Sequence, residues 1–196
     1  MHALPKLTPN PDARSAQTPL ALLMARVAQG DAAAFTQLAR ALQGQGLRLA
    51  DRTLNDRAGA EDVVQIALTR LWTLAARFDP ARGSVEGWFR RIVVNLCLDR
   101  RRSMKLVAPL SDADDVPSSA PDPFEAAANN DRRARLDAAM AQLAPRQRAA
   151  LAMFHGDGST MAEIAAALET TPKAIEGLLG RARIELRKLI EMETPE

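Results

Sequence analysis

A chain of 196 residues with 47% hydrophobic content can bury one large or two small cores, which excludes disorder throughout. The formal net charge of +2 names no partner by itself, although the isoelectric point near 9.1 leans basic. The single cysteine, Cys97, excludes an intramolecular disulfide. Tyr is absent and aromatic residues make up only 4%, whereas Ala, Leu and Arg abound, so helix formers outweigh strand formers and an all-α fold is expected. No apolar run is long enough to span a bilayer or to form the core of a signal peptide. The expected compartment is therefore the reducing cytoplasm, with no membrane insertion.

Residues 1–18 carry Pro5, Pro9 and Pro11 without apolar periodicity and read as a disordered tail. Thr18-Pro19 supplies a cap and a preset first turn for a helix with Leu20, Leu23, Met24 and Val27 on one face, ended by Gly30. Asp31 can cap a second helix with Phe35, Leu38 and Leu42 inward, and Gly44 and Gly46 are expected to weaken or bend it. The spacing of Val64, Ala67, Leu71, Leu74 and Phe78 predicts a third helix from about residue 60 to residue 77. Asp79-Pro80 and Gly83 break the chain. Ser84 can then cap a fourth helix that buries Val85, Phe89, Ile92, Val93 and Leu96 and runs into Arg100, Arg101 and Arg102.

Charge is distributed unevenly. Between Ser84 and Lys105 six basic residues stand against two acids, while residues 106–131 contain six acids and no Lys or Arg. This Pro- and Ser-containing stretch, residues 106–130, reads as a flexible acidic linker between a domain at 19–105 and a second at 131–192. In the second domain Leu136, Met140 and Leu143 form an amphipathic helix, and Pro145 opens the next, with 151–154 inward. Ser159 is the expected cap of a short helix holding Met161, Ile164, Ala165 and Leu168. Pro172 opens a final helix with Ile175, Leu178, Leu179, Ala182, Leu186 and Leu189 as its stripe.

Two constellations carry chemistry. Residues 159–187 have the layout of a helix-turn-helix, a short helix joined by a tight connection to a longer one with a polar N-terminal half. Thr171 and Lys173 sit where free backbone N–H groups suit phosphate, and Glu176, Arg181 and Arg183 follow. On the fourth helix Trp88, Arg91, Asn95, Asp99 and Arg102 recur at three- and four-residue spacing and so line one ridge. An aromatic, an amide and guanidiniums on one ridge can stack on bases, bond their edges and neutralise phosphates. Trp88 fits a core aromatic equally well, and the arginines fit a solvated helix end. Catalysis has no support: His2 and His155 are the only histidines, and no metal-ligand spacing or phosphate-binding loop occurs, so neither cofactor nor metal is expected.

Read together, AEDVVQIALTRLWTLAARFDPARGSVEGWFRRIVVNLCLDRRR and LDAAMAQLAPRQRAALAMFHGDGSTMAEIAAALETTPKAIEGLLGRARIELRK resemble regions 2 and 4 of the extracytoplasmic-function sigma factors of bacterial RNA polymerase. The order of the two blocks, their spacing and the acidic linker carry the resemblance. It implies an alternative sigma factor that binds core polymerase and promoter DNA and is held inactive by an anti-sigma factor. Asp62 and Gln65 would lie on the surface that docks the clamp helices of the β′ subunit. The loop 79–85 would capture a flipped-out base of the −10 element. Trp88, Arg91, Asn95, Asp99, Arg100, Arg101 and Arg102 would read that strand. The C-terminal domain would read the −35 element through Thr171, Lys173, Glu176, Arg181 and Arg183 and also dock the flap of the β subunit.

The sequence departs from the family in two places. Glu176-Gly177-Leu178 stands where Arg or Ser is common early in the recognition helix, and Ile66 follows Gln65 where an acid is common. Two other readings fit parts of the chain. A sigma-like adaptor would bind an anti-sigma protein without DNA, and a dimeric helix-turn-helix repressor would bind palindromic duplex sites unaided.

Overall fold

The computed structural model describes residues 18–107 and 125–192, with side chains placed at 18–104 and 134–192. The tail expected at 1–18, apart from Thr18, and most of the expected linker lie outside these residues.

The first lobe comprises helices α1 (Pro19–Val27), α2 (Ala32–Leu54), α3 (Arg57–Leu74) and α4 (Val85–Val107). Local capping chemistry starts each one. The Thr18 hydroxyl accepts from Ala21 N–H, Asp31 from Ala34 N–H, Asp56 from Gly59 N–H and Ser84 from Gly87 N–H. Gly30 closes α1 at φ +86°, in the left-handed region where a side chain is strained. The cap at Asp56 starts α3 three residues before the apolar period does, and a short 3₁₀ turn, Ala75–Arg77, finishes it.

The two glycines of α2 do not end it: the helix runs unbroken for 23 residues. Gly46 is buried, and a Cβ there would stand 2.7 Å from Cε1 of Phe89 on α4. Its absence lets α2 approach α4 closely enough for the Phe89 ring, which is fully buried, to lie against the backbone. Met24, Leu38, Leu42, Leu49, Leu71, Val85 and Val93 complete this core.

The second lobe holds α5 (Glu125–Gln142), α6 (Pro145–Leu151), α7 (Met161–Ala167) and α8 (Pro172–Met192). Helix α5 begins inside the stretch read as linker. A π-type turn, Ala152–Gly156, follows α6. The cap of α7 is Thr160 rather than Ser159: its hydroxyl accepts from Glu163 N–H at 3.2 Å, while Glu163 Oε2 accepts from Thr160 N–H at 2.8 Å. That reciprocal pair needs a carboxylate three residues after the cap, which Thr160 has and Ser159 lacks. Ser159 is buried instead. Leu136, expected to face inward, is 41% exposed.

The two lobes pack on one another, α2 against α6 and α4 against α7, and one apolar cluster runs through both. At the junction Arg148, 1% exposed, donates from Nη1 to the carbonyls of Thr53 and Leu54 at 3.4 and 3.3 Å. Its Nη2 donates to the carbonyls of Ala141 and Leu143. One guanidinium thus satisfies the C-terminal carbonyls of both α2 and α5, where helices leave acceptors unpaired and a cation suits the dipole.

Candidate nucleic-acid interface

Helix α4 buries Val85, Phe89, Val93, Val94 and Cys97 and turns its opposite side outward. On that side Arg91, Asp99 and Arg102 are exposed, and Trp88 and Asn95 are half-buried, so the five ridge residues do share a face. Trp88 packs its ring against Phe78 with centroids 5.6 Å apart and an interplanar angle of 45°. One part of the indole is core and the rest is accessible. The preceding loop is pinned: Asp79 accepts from Ala81 N–H, Pro80–Arg82 form a 3₁₀ turn and Gly83 sits at φ +146°.

The three consecutive arginines diverge. Arg102 stays on the ridge and pairs with Asp99 at 3.4 Å. Arg100 turns back to Asp56 and Asp62 on α3 at 3.6 and 3.4 Å. Arg101 donates to the Leu54 carbonyl at the end of α2, at 2.6 Å. Arg100 and Arg101 therefore brace the first lobe and are not lined up with Trp88 and Asn95. Asp62 and Gln65 lie exposed one turn apart on α3, beside Ile66, which is 46% exposed.

In the second lobe α7 and α8 form the expected helix-turn-helix. The connection is set by Glu169 at φ +51° and by Thr170 N–H donating to Ala165 C=O. Arg146 donates to the carbonyl of Leu168 at 2.6 Å and holds the turn against α6. Thr171 spends its hydroxyl oxygen on the cap, accepting from Ala174 N–H at 3.2 Å. Ile175, Leu179 and Ala182 are buried, which turns Lys173, Gly177, Arg181 and Ile184 outward on one stripe. Glu176 and Arg183 lie exposed beside that stripe, and the Arg183 guanidinium rests over the Phe154 ring, 5.2 Å from its centroid.

Several residues at this surface are invisible to sequence reasoning. Ile184, 61% exposed on the outward face of α8, is an apolar side chain that the inward stripe leaves out and that no charge or motif marks. Arg90 is 8% exposed and pairs with Glu163 of α7 at 2.7 Å, and Arg91 pairs with Glu169 at 2.9 Å. These partners are 73 and 78 residues apart, so no local signal could have found them.

No group of His, Cys, Asp and Glu among the described residues could hold a metal ion. Cys97 is fully enclosed, and burial pushes its thiol up to about 12 against the pull of Arg100 and Arg101. No helix among the described residues is long and apolar enough to cross a membrane.

An amide- and guanidinium-bearing ridge in one lobe and a helix-turn-helix in the other define a two-lobed, all-helical nucleic-acid reader. Comparison with known proteins agrees. Residues 38–107 match the family model for Sigma-70 region 2, and residues 133–186 match that for Sigma-70 region 4. The ECF RNA polymerase sigma factor SigM of Mycobacterium tuberculosis is 35% identical over 179 residues, 86% of this chain and 83% of SigM. SigE of Mycolicibacterium smegmatis is 31% identical over 175 residues, 86% of this chain and 67% of SigE. The sigma factor CnrH of Cupriavidus metallidurans is 29% identical over 183 residues, 88% of this chain and 95% of CnrH. A solved structure of CnrH in complex with the cytosolic domain of CnrY superposes with a TM-score of 0.64 at 28% identity, covering 88% of this chain and 97% of that one. The chain belongs to the extracytoplasmic-function sigma factors of the sigma-70 family, alternative sigma factors that bind RNA polymerase and direct promoter-specific initiation of transcription.

Proposed function

We propose that the two lobes divide the promoter between them. The first lobe docks the β′ clamp helices through Asp62, Gln65 and the exposed Ile66 of α3, and it reads the −10 strand through the α4 ridge. Trp88, supported from behind by Phe78, offers its accessible part to a base, and Asn95 supplies an amide that can both donate to and accept from a base edge. Arg91 and Arg102 meet phosphates, with Asp99 orienting Arg102. Arg100 and Arg101 contribute mainly by holding α4 against α2 and α3. The pinned loop 79–85 lies where a base turned out of the stack would enter.

The second lobe docks the β flap and reads the −35 element. Lys173 and the N–H groups at the start of α8 suit phosphate. Glu176 can accept from a cytosine amine, and Arg181 projects from the same exposed side. The exposed Arg91 and Arg102 favour this reading over a sigma-like adaptor that binds no DNA, and the match of the first lobe to Sigma-70 region 2 favours it over a dimeric helix-turn-helix repressor. The protein acts in the cytoplasm and is restrained by an anti-sigma factor, in line with the cytosolic domain of CnrY seen on CnrH.

The observation that carries the reading is the α4 ridge, which joins a half-buried tryptophan and an amide to exposed arginines on one accessible face. In vitro transcription with purified core polymerase on genomic fragments tests it. Discrete start sites that require this protein are expected. Absence of such starts, together with failure to co-purify with core, would refute it.

A further inference from the structure

Arg183 is held in a way that leaves its hydrogen-bonding capacity unspent. Arg91, Arg101, Arg146 and Arg148 all donate N–H groups to carboxylates or carbonyls. The Arg183 guanidinium instead lies over the Phe154 ring, 5.2 Å from its centroid, and no carboxylate or carbonyl among the described residues takes its N–H groups. A ring face attracts the cation without occupying a donor. Phe154 is itself fixed: it stands half-buried in the π-type turn Ala152–Gly156, after the buried Leu151, Ala152 and Met153. The His155 ring braces it from the side, at 85° with centroids 4.9 Å apart.

We propose that Phe154 is a positioning residue for promoter binding: its ring holds Arg183 against a phosphate of the −35 duplex. The inference rests on the reading of α8 as the −35 recognition helix. Such a helix meets base edges with its N-terminal residues, while its later turns pass the DNA backbone. Arg183 lies seven residues beyond Glu176 on the same flank, a distance of about 10.5 Å along the axis. It also stands about 100° round the axis from Ile184 on the outward stripe. A side position two turns into the helix faces the wall of the groove, which is phosphate, and not its floor.

An unheld arginine loses rotamer freedom when it binds, and a cation already set over a ring has lost part of it beforehand. The ring also leaves the planar fork of donors intact for two phosphate oxygens. A carboxylate partner would do the opposite, because it would neutralise the cation and have to be displaced before DNA could bind. Arg181 supplies the internal comparison: it is exposed on the outward stripe of the same helix, and no ring among the described residues lies beneath it.

The test uses holoenzyme assembled from core polymerase and the full chain, with a promoter fragment selected in the transcription experiment above, and measures affinity over a series of salt concentrations. Arg183→Gln is expected to weaken binding roughly fivefold to tenfold and to reduce the slope of log affinity against log salt by about one, the loss of one phosphate contact. Phe154→Leu should weaken binding roughly twofold to fivefold, and Phe154→Tyr, which keeps a ring, should restore it. Combined with Arg183→Gln, Phe154→Leu should cause no further loss, whereas combined with Arg181→Gln it should add its full factor. A protein merely loosened at Phe154 would show the same added factor with both arginines, and that result would overturn the proposal. So would a drop in affinity for core polymerase alone that accounts for the whole effect, since it would assign Arg183 to the polymerase. A parent protein that selects no fragment would remove the promoter reading and this inference together. A parent that selects one while Phe154 and Arg183 fail to couple removes this inference alone.

Discussion

Replacing each glycine of α2 by alanine should move stability in opposite directions. Both sit inside a long helix, where alanine gains about 0.5–1 kcal/mol over glycine by limiting the unfolded chain and by propensity. At Gly44 the nearest obstacle to a new Cβ is Arg48 Nη1 at 3.5 Å, ordinary contact with the end of a movable side chain. Gly44→Ala should therefore keep the whole gain and raise the melting temperature by roughly 2–3 °C for a chain of this size. At Gly46 the new methyl meets Phe89 Cε1 at 2.7 Å and Cζ at 3.2 Å, with Val64 Cγ2 at 3.4 Å on another side. Carbon atoms prefer about 3.5–4.0 Å, and Phe89 has no free volume to retreat into because it is fully buried. Overpacking of this kind costs about 1–3 kcal/mol, which outweighs the propensity gain. Gly46→Ala should lose roughly 0.5–2 kcal/mol and push α4 outward, with a weaker effect of the same sign on promoter opening. Urea and thermal unfolding followed by far-UV circular dichroism provide the comparison. If Gly46→Ala were stabilised as much as Gly44→Ala, the close approach of α2 and α4 described above would be wrong.

Three further outcomes are expected. Asn95→Ala should impair open-complex formation, measured by permanganate reactivity of the melted strand, more than it weakens core binding; equal loss of both would remove Asn95 from the −10 readout. Arg148→Ala should cost on the order of 3 kcal/mol in urea unfolding, because the carbonyls of Thr53, Ala141 and Leu143 lose their buried donor while that of Leu54 keeps Arg101, and a cost near zero would show that water satisfies them. Burial raises Asp157 above its ordinary value of 3.8, despite attraction by Arg90, Arg52 and Arg48. A carboxyl raised in the folded state binds its proton more tightly there than in the unfolded chain, so its contribution to stability is full below about 3.8 and is lost as pH rises through the raised value. The difference in urea-unfolding stability between parent and Asp157→Asn isolates this group. That difference should grow as pH rises across the window, and a difference constant with pH would refute the shift.

Features confined to a few residues were legible in the sequence. The caps at Thr18, Asp31 and Ser84 are bonds to an N–H three residues on, so sequence spacing alone specifies them. The cap of α3 was missed because Asp56 precedes three residues without apolar period, and that of α7 was misplaced by one residue because Ser159 and Thr160 are equally good capping types. Only the reciprocal bond with Glu163 separates them. The ridge of α4 was legible because helical spacing fixes which residues share a face, yet the same spacing could not show that Arg100 and Arg101 turn back toward α3 and α2. Long flexible side chains choose partners by what lies within reach, and here those partners come from other helices.

The sequence by itself thus determined the helices, their inward faces, the helix-turn-helix and the family, all of which depend on composition and on contacts within a turn or two. Tertiary structure alone decided why Gly46 is a glycine, what the buried Arg148 is for, and that Glu163 and Glu169 reach Arg90 and Arg91 across more than 70 residues of chain. The physical reason is the same in each case: packing and ion pairing depend on distances that only the folded chain sets, and residues far apart in sequence carry no mark of their partners.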